Sequence, residues 1–414
     1  MSELISVAEA RQKMLAAFTA LDPEAVEPAQ AYGRVLAEPV RAIRDFPPFD
    51  NSSMDGFAVR HEDTKTATPS TPVSLTVISD IPAGTVNSFH VGSGQAIRIM
   101  TGAPMPAGAD GVVPVEETIV STSTPVNSKS YPVRITKAVH PGENVRLRGQ
   151  DIHAGDLVLD AGRWLKAQDV GLIAMLGLGQ ISVHRRPVIA VLSTGDELIP
   201  PGAEWSPGKI YESNTPMISA LVEKYGGNVV KLGIAPDQPD VVRACLDRAI
   251  DQHADLIVST AGVSVGEYDY VRSVIEEHGS LEFWRVNMRP GKPLTFGRYR
   301  GVPFVGLPGN PVSAFTGFEV FVRPAILKML GVSGWQINTR RVKTLEIIES
   351  DGRESYVRAI VEKRSGEWTA RIIPNQGSGN LRSLVQANAL LLMPSGVKSV
   401  PIGSLLDAWL LDEI

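Results

Sequence analysis

Apolar residues recur at near-helical spacing from residue 5 to residue 21 (Ile5, Ala8, Ala10, Met14, Leu15, Phe18, Leu21), which predicts an amphipathic helix. Ser6 is placed to cap it, and Glu9, three residues on, completes a capping box. The Pro- and Ala-rich stretch that follows predicts a second short helix near 29–36. From about residue 43 to residue 139 the pattern shortens to strands and turns: 73–78, 96–100 and 111–115 read as strands, and 62–71 and 121–130 as polar surface loops. A helix returns at 167–176. Between 181 and 330, strands near 187–193, 228–234, 255–259, 281–286 and 303–307 alternate with helices near 214–225, 238–252, 267–278 and 311–330. That alternation calls for a parallel sheet with right-handed crossovers. Asn214 is the expected cap of the first of these helices, with Pro216 in its first turn. After Gly331 the runs 341–348, 355–363, 368–373, 389–393 and 407–411 read as short strands of a small barrel or sandwich.

A chain of 414 residues exceeds one ordinary core, so two to four domains are expected. The net charge of −5 argues against a nucleic-acid binder. Cys245 is the single cysteine, which excludes a disulfide within the chain and any CxxC metal site, and its helical run predicts core packing. The start of the sequence lacks the basic and apolar run of a signal peptide, and no stretch approaches a membrane span. A cytoplasmic protein is expected, with no membrane partner.

Three glycine-punctuated loops each follow a buried-type strand: 193–198, 260–269 and 307–313. In open α/β sheets ligands sit outside the carboxyl ends of the strands, so the three predict one anion- or nucleotide-type pocket with acids at its rim. Thr194-Gly195-Asp196-Glu197 offers backbone N–H groups, a hydroxyl and two carboxylates. It suits phosphate contact with a metal or base, and equally a strand-ending turn capped by Asp196. In the second loop Gly262 and Gly266 flank Ser264, and Asp269 stands near a helix start, where amide donors favour anions. An acid there repels a phosphate unless a divalent cation bridges them. The other reading makes Glu267 and Asp269 first-turn charges on the helix dipole. Pro308-Gly309-Asn310-Pro311 is a rigid helix-initiating turn with the Ser313 hydroxyl beyond it. The turn 285–293 carries Arg285, Arg289 and Lys292 and suits an oxyanion, or is an exposed basic turn. In the β-rich stretch, Asp55-Gly56 and Thr101-Gly102 stand at strand ends. No histidine cluster, Walker A loop or H-E-x-x-H is present, which removes zinc-hydrolase and P-loop NTPase readings, and a classical serine hydrolase with a G-x-S-x-G elbow is not expected either.

The segments 51–60, 98–104, 193–198, 262–269 and 307–313 together resemble the MoeA family of molybdopterin molybdenumtransferases, to which the E domain of gephyrin is related. The motifs span nearly the whole chain in order. The resemblance implies a multidomain α/β plus β fold. Its parts are a discontinuous helical linker domain (1–43 and 142–180), an inserted β-rich domain (44–141), a parallel-sheet α/β molybdopterin-binding domain (181–330) and a C-terminal small β barrel (331–414). It implies a cytoplasmic homodimer that inserts molybdenum from molybdate into adenylylated molybdopterin and releases AMP, with Mg2+ or another divalent cation. The further partners it implies are the adenylyltransferase and apo-molybdoenzymes. A molybdopterin adenylyltransferase and a tungstate-inserting paralogue are the alternative readings. The residues matching the family's positions are Asp55, Thr101, Glu197, Asp237 and Asp269 for catalysis, with Glu197, Asp237 and Asp269 also for the metal. Thr194, Gly195, Gly262, Ser264, Gly266, Pro308, Gly309, Asn310 and Pro311 match for the substrate. Arg289, Lys292, Pro293, Ser313, Ser378 and Arg353, with Arg358 an alternative to Arg353, match for molybdate. Asp55 and Thr101 are implied to act across the dimer interface, and Asp151 is a further matched acid. Two departures stand out: Ala261 where the family usually has a second glycine, and Arg285 and Arg289 where lysines are common.

Overall fold

A computed structural model describes residues 4–85, 88–120, 130–260, 270–364 and 366–411. The chain forms two compact units, Pro39–Asp160 with Leu172–Leu178, and Met1–Glu38 with Ala161–Gly171 and Gly179–Ile414. Residues 142–160 thus go with the β-rich stretch. The N-terminal regions contribute two α-helices, α1 (Val7–Ala16) and α2 (Ala167–Met175). Where a second helix was expected near 29–36, a single 3-10 turn forms at Pro28–Gln30, because Gly33 breaks the run at φ +70° and Val35 and Leu36 form bridges with Trp164 and Val183. Ser6 caps α1 as expected, its Oγ accepting from the Glu9 amide at 3.2 Å.

The β-rich unit is built on strands β1 (Gly56–Val59), β2 (Val73–Ile81), β3 (Gln95–Ile99), β4 (Gly111–Pro114), β5 (Thr118–Val120) and β6 (Tyr131–Ile135). They form one sheet in the order β4-β1-β3-β2-β6-β5, antiparallel except for the β2–β3 pair. Alternate side chains fill two small cores, one around Phe57, Leu75 and Val113 and the other around Ile81, Ile97 and Ile99.

In the larger unit β7 (Val188–Thr194), β8 (Asn228–Ala235), β9 (Leu256–Thr260), β10 (Gly279–Arg285), β11 (Pro293–Tyr299) and β12 (Val302–Leu307) form a six-stranded sheet. The order is β8-β7-β9-β12-β11-β10; the first four are mutually parallel, and β11 and β10 return antiparallel. The expected strand near 281–286 is therefore not part of a parallel run. It belongs to an antiparallel edge with β11, whose short apolar core after Pro290-Gly291 reads locally as a turn. Ile189, Val191, Leu256 and Val258 face one core together with α1, α3 (Asn214–Lys224), and residues of 311–330. Ala190, Leu192 and Ile257 face the other, under α4 (Pro239–Asp251) and α5 (Tyr270–His278). Burial on both faces is what makes these strands continuous apolar runs. The stretch 311–330 is helical throughout but not uniform: α6 (Pro311–Gly317) and α7 (Arg323–Met329) are joined by a π-helical turn at Phe318–Val322.

The C-terminal strands β13 (Thr339–Thr344), β14 (Glu354–Arg364), β15 (Glu367–Ile372), β16 (Ala389–Met393) and β17 (Leu405–Leu410) close into a barrel in the order β14-β15-β13-β17-β16-β14. Closure leaves no free edge in this ring. The two-residue strand Met288–Arg289 joins β14 in parallel, setting Arg289 beside Ser355. This pairing brings the basic turn of the α/β part against the barrel.

Candidate active site

A cavity of about 620 Å³ lies between the α/β part and the barrel of the larger unit. Its walls include Arg289, Lys292, Pro293, Pro308, Asn310 and Ser313 from the first and Arg353, Arg358 and Ser378 from the second. All six residues expected to contact an oxyanion therefore share one cavity. The turn that carries Arg289 and Lys292 is shaped by Gly291, whose φ of +107° is a conformation few residues other than glycine adopt. Asn310 Nδ2 donates to Ser378 Oγ at 3.0 Å, and the Val312 amide donates to the Ser378 carbonyl at 3.0 Å, so the third loop and the barrel are tied at the cavity wall.

The two arginines of the barrel differ in kind. Arg353 donates through Nε and Nη2 to Asp351, at 3.0 Å for Nε, and through Nη1 to the Met288 carbonyl at 3.1 Å. Held by that guanidinium, the Asp351 carboxyl falls to a pKa of about 2. The charge of Arg353 is thus largely compensated. Arg358 is almost wholly buried, and among the described residues its side chain donates only to neutral acceptors: Gln376 Oε1 at 3.1 Å, the Gly377 carbonyl at 2.9 Å and Ser383 Oγ at 2.7 Å. Burial lowers its pKa to about 10, which leaves it charged at neutral pH. A buried, uncompensated cation is costly unless an anion completes its surroundings. The Gln376 side chain that holds it also donates to the Arg358 carbonyl at 2.9 Å. Gln376 escaped the sequence reading; its only signal is the turn-like run Asn375-Gln376-Gly377-Ser378.

At the carboxyl ends of β7 and β9 stand four buried hydroxyls, Ser193, Thr194, Ser259 and Thr260. Thr194 Oγ1 and Ser259 Oγ have no hydrogen-bond partner among the described residues. Gly195 takes φ +146°, a backbone conformation that L side chains rarely adopt, which favours glycine there. The Asp237 amide donates to Asp196 Oδ1 at 3.2 Å, bringing Asp196, Glu197 and Asp237 to one rim. Partial burial raises the Asp237 carboxyl, and the charges of Asp196 and Glu197 add to the effect. An acid whose native pKa is raised weakens the folded state as pH climbs past its ordinary value near 3.8, and has no such effect below it. Asp237→Asn is accordingly expected to raise Tm at pH 7 by roughly 1–2 °C, a gain that shrinks as pH falls toward 4. Thermal melts across that range check it.

The remaining expected residues are placed as follows. Asp55 Oδ1 accepts from both the amide and the hydroxyl of Thr101 at 2.7 Å, in the β-rich unit, and these bonds lower its pKa. Asp151 is exposed in the same unit. Ala261, Gly262, Ser264, Gly266 and Asp269 lie outside the described residues. Arg285 corrects the idea of a three-cation turn: its position on β10 puts it in a different groove, with Leu4, Glu9 and Trp284. Asn214 is not the cap of α3. Ser213 precedes the helix, and Asn214 Nδ2 instead donates to the Gly309 carbonyl at 2.8 Å.

Comparison with known proteins fits this layout. The MoeA N-terminal region (domain I and II) matches residues 5–177, a probable molybdopterin-binding domain matches 190–328, and the MoeA C-terminal region (domain IV) matches 341–411. A Mycobacterium tuberculosis protein named molybdopterin molybdenumtransferase 2 is 40% identical over 413 residues, covering 98% of this chain and 99% of that one. The chain belongs to the MoeA family. A Nostoc member named molybdopterin molybdenumtransferase is 39% identical, covering 92% of this chain and 87% of its own. The crystal structure of a MoeA molybdopterin biosynthesis protein from Pyrococcus horikoshii superposes with a TM-score of 0.83 at 31% identity, over 100% of both chains. The letters Gly262-Val263-Ser264-Val265-Gly266 also spell the G-x-S-x-G of a hydrolase elbow. The family match sets that class aside; sequence spelling alone does not. No helix among the described residues is long and apolar enough to cross a membrane.

Proposed function

We infer that this MoeA-family chain is a molybdopterin molybdenumtransferase of molybdenum cofactor biosynthesis. In this reading it takes molybdate and adenylylated molybdopterin, breaks the phosphoanhydride, releases AMP and leaves molybdenum on the dithiolene sulfurs. The observation that carries it is the cavity in which Arg289, Lys292, Arg353 and Arg358 converge with the hydroxyls of Ser313 and Ser378. Molybdate is a tetrahedral dianion, and cations with hydroxyl donors on several sides are what such an anion needs. Because Asp351 compensates Arg353, we assign the barrel's oxyanion contact to Arg358, with Arg353 holding the wall. The relatives named molybdopterin molybdenumtransferase, matched over nearly their whole length, support the same reading.

The pterin and phosphate end of the substrate falls to Thr194, Gly195 and Pro308-Gly309-Asn310-Pro311, with Gly262, Ser264 and Gly266 in the same role. The unpartnered Thr194 hydroxyl is an available donor there. Among the described residues no three acidic or metal-ligating side chains form a closed cation cage. Glu197 and Asp237 still fit a divalent ion of the magnesium type, which takes one or two carboxylates plus substrate phosphates. Bound there with Asp269, such an ion would neutralise phosphate charge. The chain's own part is to hold carboxylates at the rim and donors in the loops. No covalent nucleophile is required. Asp55 and Thr101 of the partner subunit are proposed to complete the site in a homodimer. Apo-molybdoenzymes are the proposed recipients of the product, and the adenylyltransferase its supplier. A cytoplasmic location is proposed because a dithiolene needs a compartment that keeps thiols reduced.

Incubation of the purified chain with adenylylated molybdopterin, molybdate and Mg2+ is expected to release AMP and to yield cofactor that activates an apo-molybdoenzyme. Asp237→Asn lowers that yield even as it stabilises the fold. ATP-dependent adenylylation of molybdopterin without AMP release would place the chain with the adenylyltransferases instead.

A further inference from the structure

Residues 212–215 join β-strand ends and loops that are far apart in sequence. Glu212 is buried, and its Oε1 accepts from the Ser193 hydroxyl at 2.9 Å and from the Thr215 amide at 2.8 Å. Ser193 Oγ lies 2.9 Å from Thr215 Oγ1 and 2.8 Å from Thr260 Oγ1. Ser193 and Thr260 are register partners across β7 and β9. Each stands at the carboxyl end of its strand, Ser193 directly before Thr194-Gly195 of the first loop. Two residues past Glu212, the Asn214 side chain donates to the Gly309 carbonyl of the third loop at 2.8 Å. Its Oδ1 is buried without a partner among the described residues. Among the described residues, both bonds that Glu212 accepts come from neutral donors. A buried carboxylate satisfied only this way is expensive to keep for packing alone.

We propose that Glu212 and Asn214 are positioning residues for the transfer reaction. Glu212 sets the carboxyl ends of β7 and β9 through Ser193 and Thr260, and Asn214 sets the third loop through Gly309. The proposal rests on the reading of these loops as the adenylylated-molybdopterin site. A single short segment then fixes the relative placement of groups that must meet one substrate, which is the kind of preorganisation that sub-ångström reaction geometry requires.

The test is amide hydrogen exchange on the full chain, followed by steady-state kinetics, for Glu212→Ala, Glu212→Gln, Ser193→Ala and Asn214→Ala. Glu212→Ala is expected to speed exchange roughly tenfold in 194–198 and at 258–260, with 308–313 unchanged, the loss matching one or two net hydrogen bonds. Ser193→Ala, which keeps the carboxylate and folds if Glu212→Ala does not, gives the same pattern. Asn214→Ala gives the reverse. Glu212→Gln, which retains an acceptor oxygen, stays near wild type. In the kinetics, Glu212→Ala raises KM for adenylylated molybdopterin roughly tenfold, leaves KM for molybdate within about twofold, and is rescued by glutamine. Uniform loosening of the whole sheet, no loosening at all, or equal rises in both KM values overturns the proposal. A wild-type chain inactive in insertion would sink the functional reading, while the exchange pattern would still decide whether the segment tethers the two strand ends and the third loop.

Discussion

Replacing Arg289 and Lys292 together by alanine raises the KM for molybdate at least about 100-fold, with Tm within about 2 °C of wild type. Both side chains are exposed at the cavity wall, so their removal leaves no hole in a core. A hydrogen bond to a charged group contributes about 1.5–3 kcal/mol, and two such contacts to one dianion amount to roughly 10²–10⁴ in affinity. The exchanges Arg289→Lys and Lys292→Arg keep the charge and alter only its geometry, so each should shift KM far less than its alanine counterpart. Steady-state rates at varied molybdate and saturating adenylylated molybdopterin give the comparison. An unchanged KM in the double alanine variant would remove molybdate from this cavity.

Arg358→Ala has a larger effect on both stability and activity. It removes one donor each from Gln376 Oε1, the Gly377 carbonyl and Ser383 Oγ, which keep their bonds to the Arg358 amide, the Asn380 amide and the Asn380 carbonyl, and it opens a void where an almost wholly buried side chain stood. A loss of about 3 kcal/mol follows from the lost hydrogen bonds and the void, or roughly 5–10 °C in Tm. Insertion falls below detection because the uncompensated cation is gone. The contrast is the paired replacement Arg353→Ala with Asp351→Ala, which removes a cation and the anion that neutralises it. That double variant leaves the net charge of the wall unchanged and is expected to retain activity within about tenfold of wild type. Melting curves and kcat/KM for the two variants side by side read the difference. Equal losses would mean that Asp351 does not compensate Arg353 in solution.

Much of this arrangement is legible in the sequence, and the reasons are local. The parallel core strands announce themselves because both faces are buried, so β7 and β9 are apolar runs up to their terminal Ser-Thr pairs. The loops at their ends are legible because close backbone approach and tight turns demand Gly and Pro, as at Gly195 and at Pro308-Gly309. What local pattern does not carry is pairing across the chain. Strand β11 is hidden because Pro290-Gly291 and Gly297 read as turn residues, and it exists through its partners β10 and β12. Arg285 and Arg289 look equivalent in sequence, yet pairing of Met288–Arg289 with β14 sends the second to the cavity, and pairing of β10 sends the first elsewhere. The choice between Arg353 and Arg358 turns on Asp351 and Gln376, whose contacts no spacing rule reveals. Asn214 illustrates the same limit. Its position predicts a helix cap, and the nearby third loop takes its side chain instead. The tethering role proposed for Glu212 is likewise invisible until β7 and β9 are set side by side.

The central claim is that molybdate enters the cavity between the α/β part and the barrel. Anomalous scattering at the molybdenum edge, from crystals of the full chain soaked in molybdate, tests it most directly. The account predicts a peak within hydrogen-bond reach of Arg289, Lys292, Arg358 and Ser378, and its disappearance in the Arg289→Ala, Lys292→Ala double variant. A peak elsewhere, in a protein that still inserts molybdenum, would contradict it.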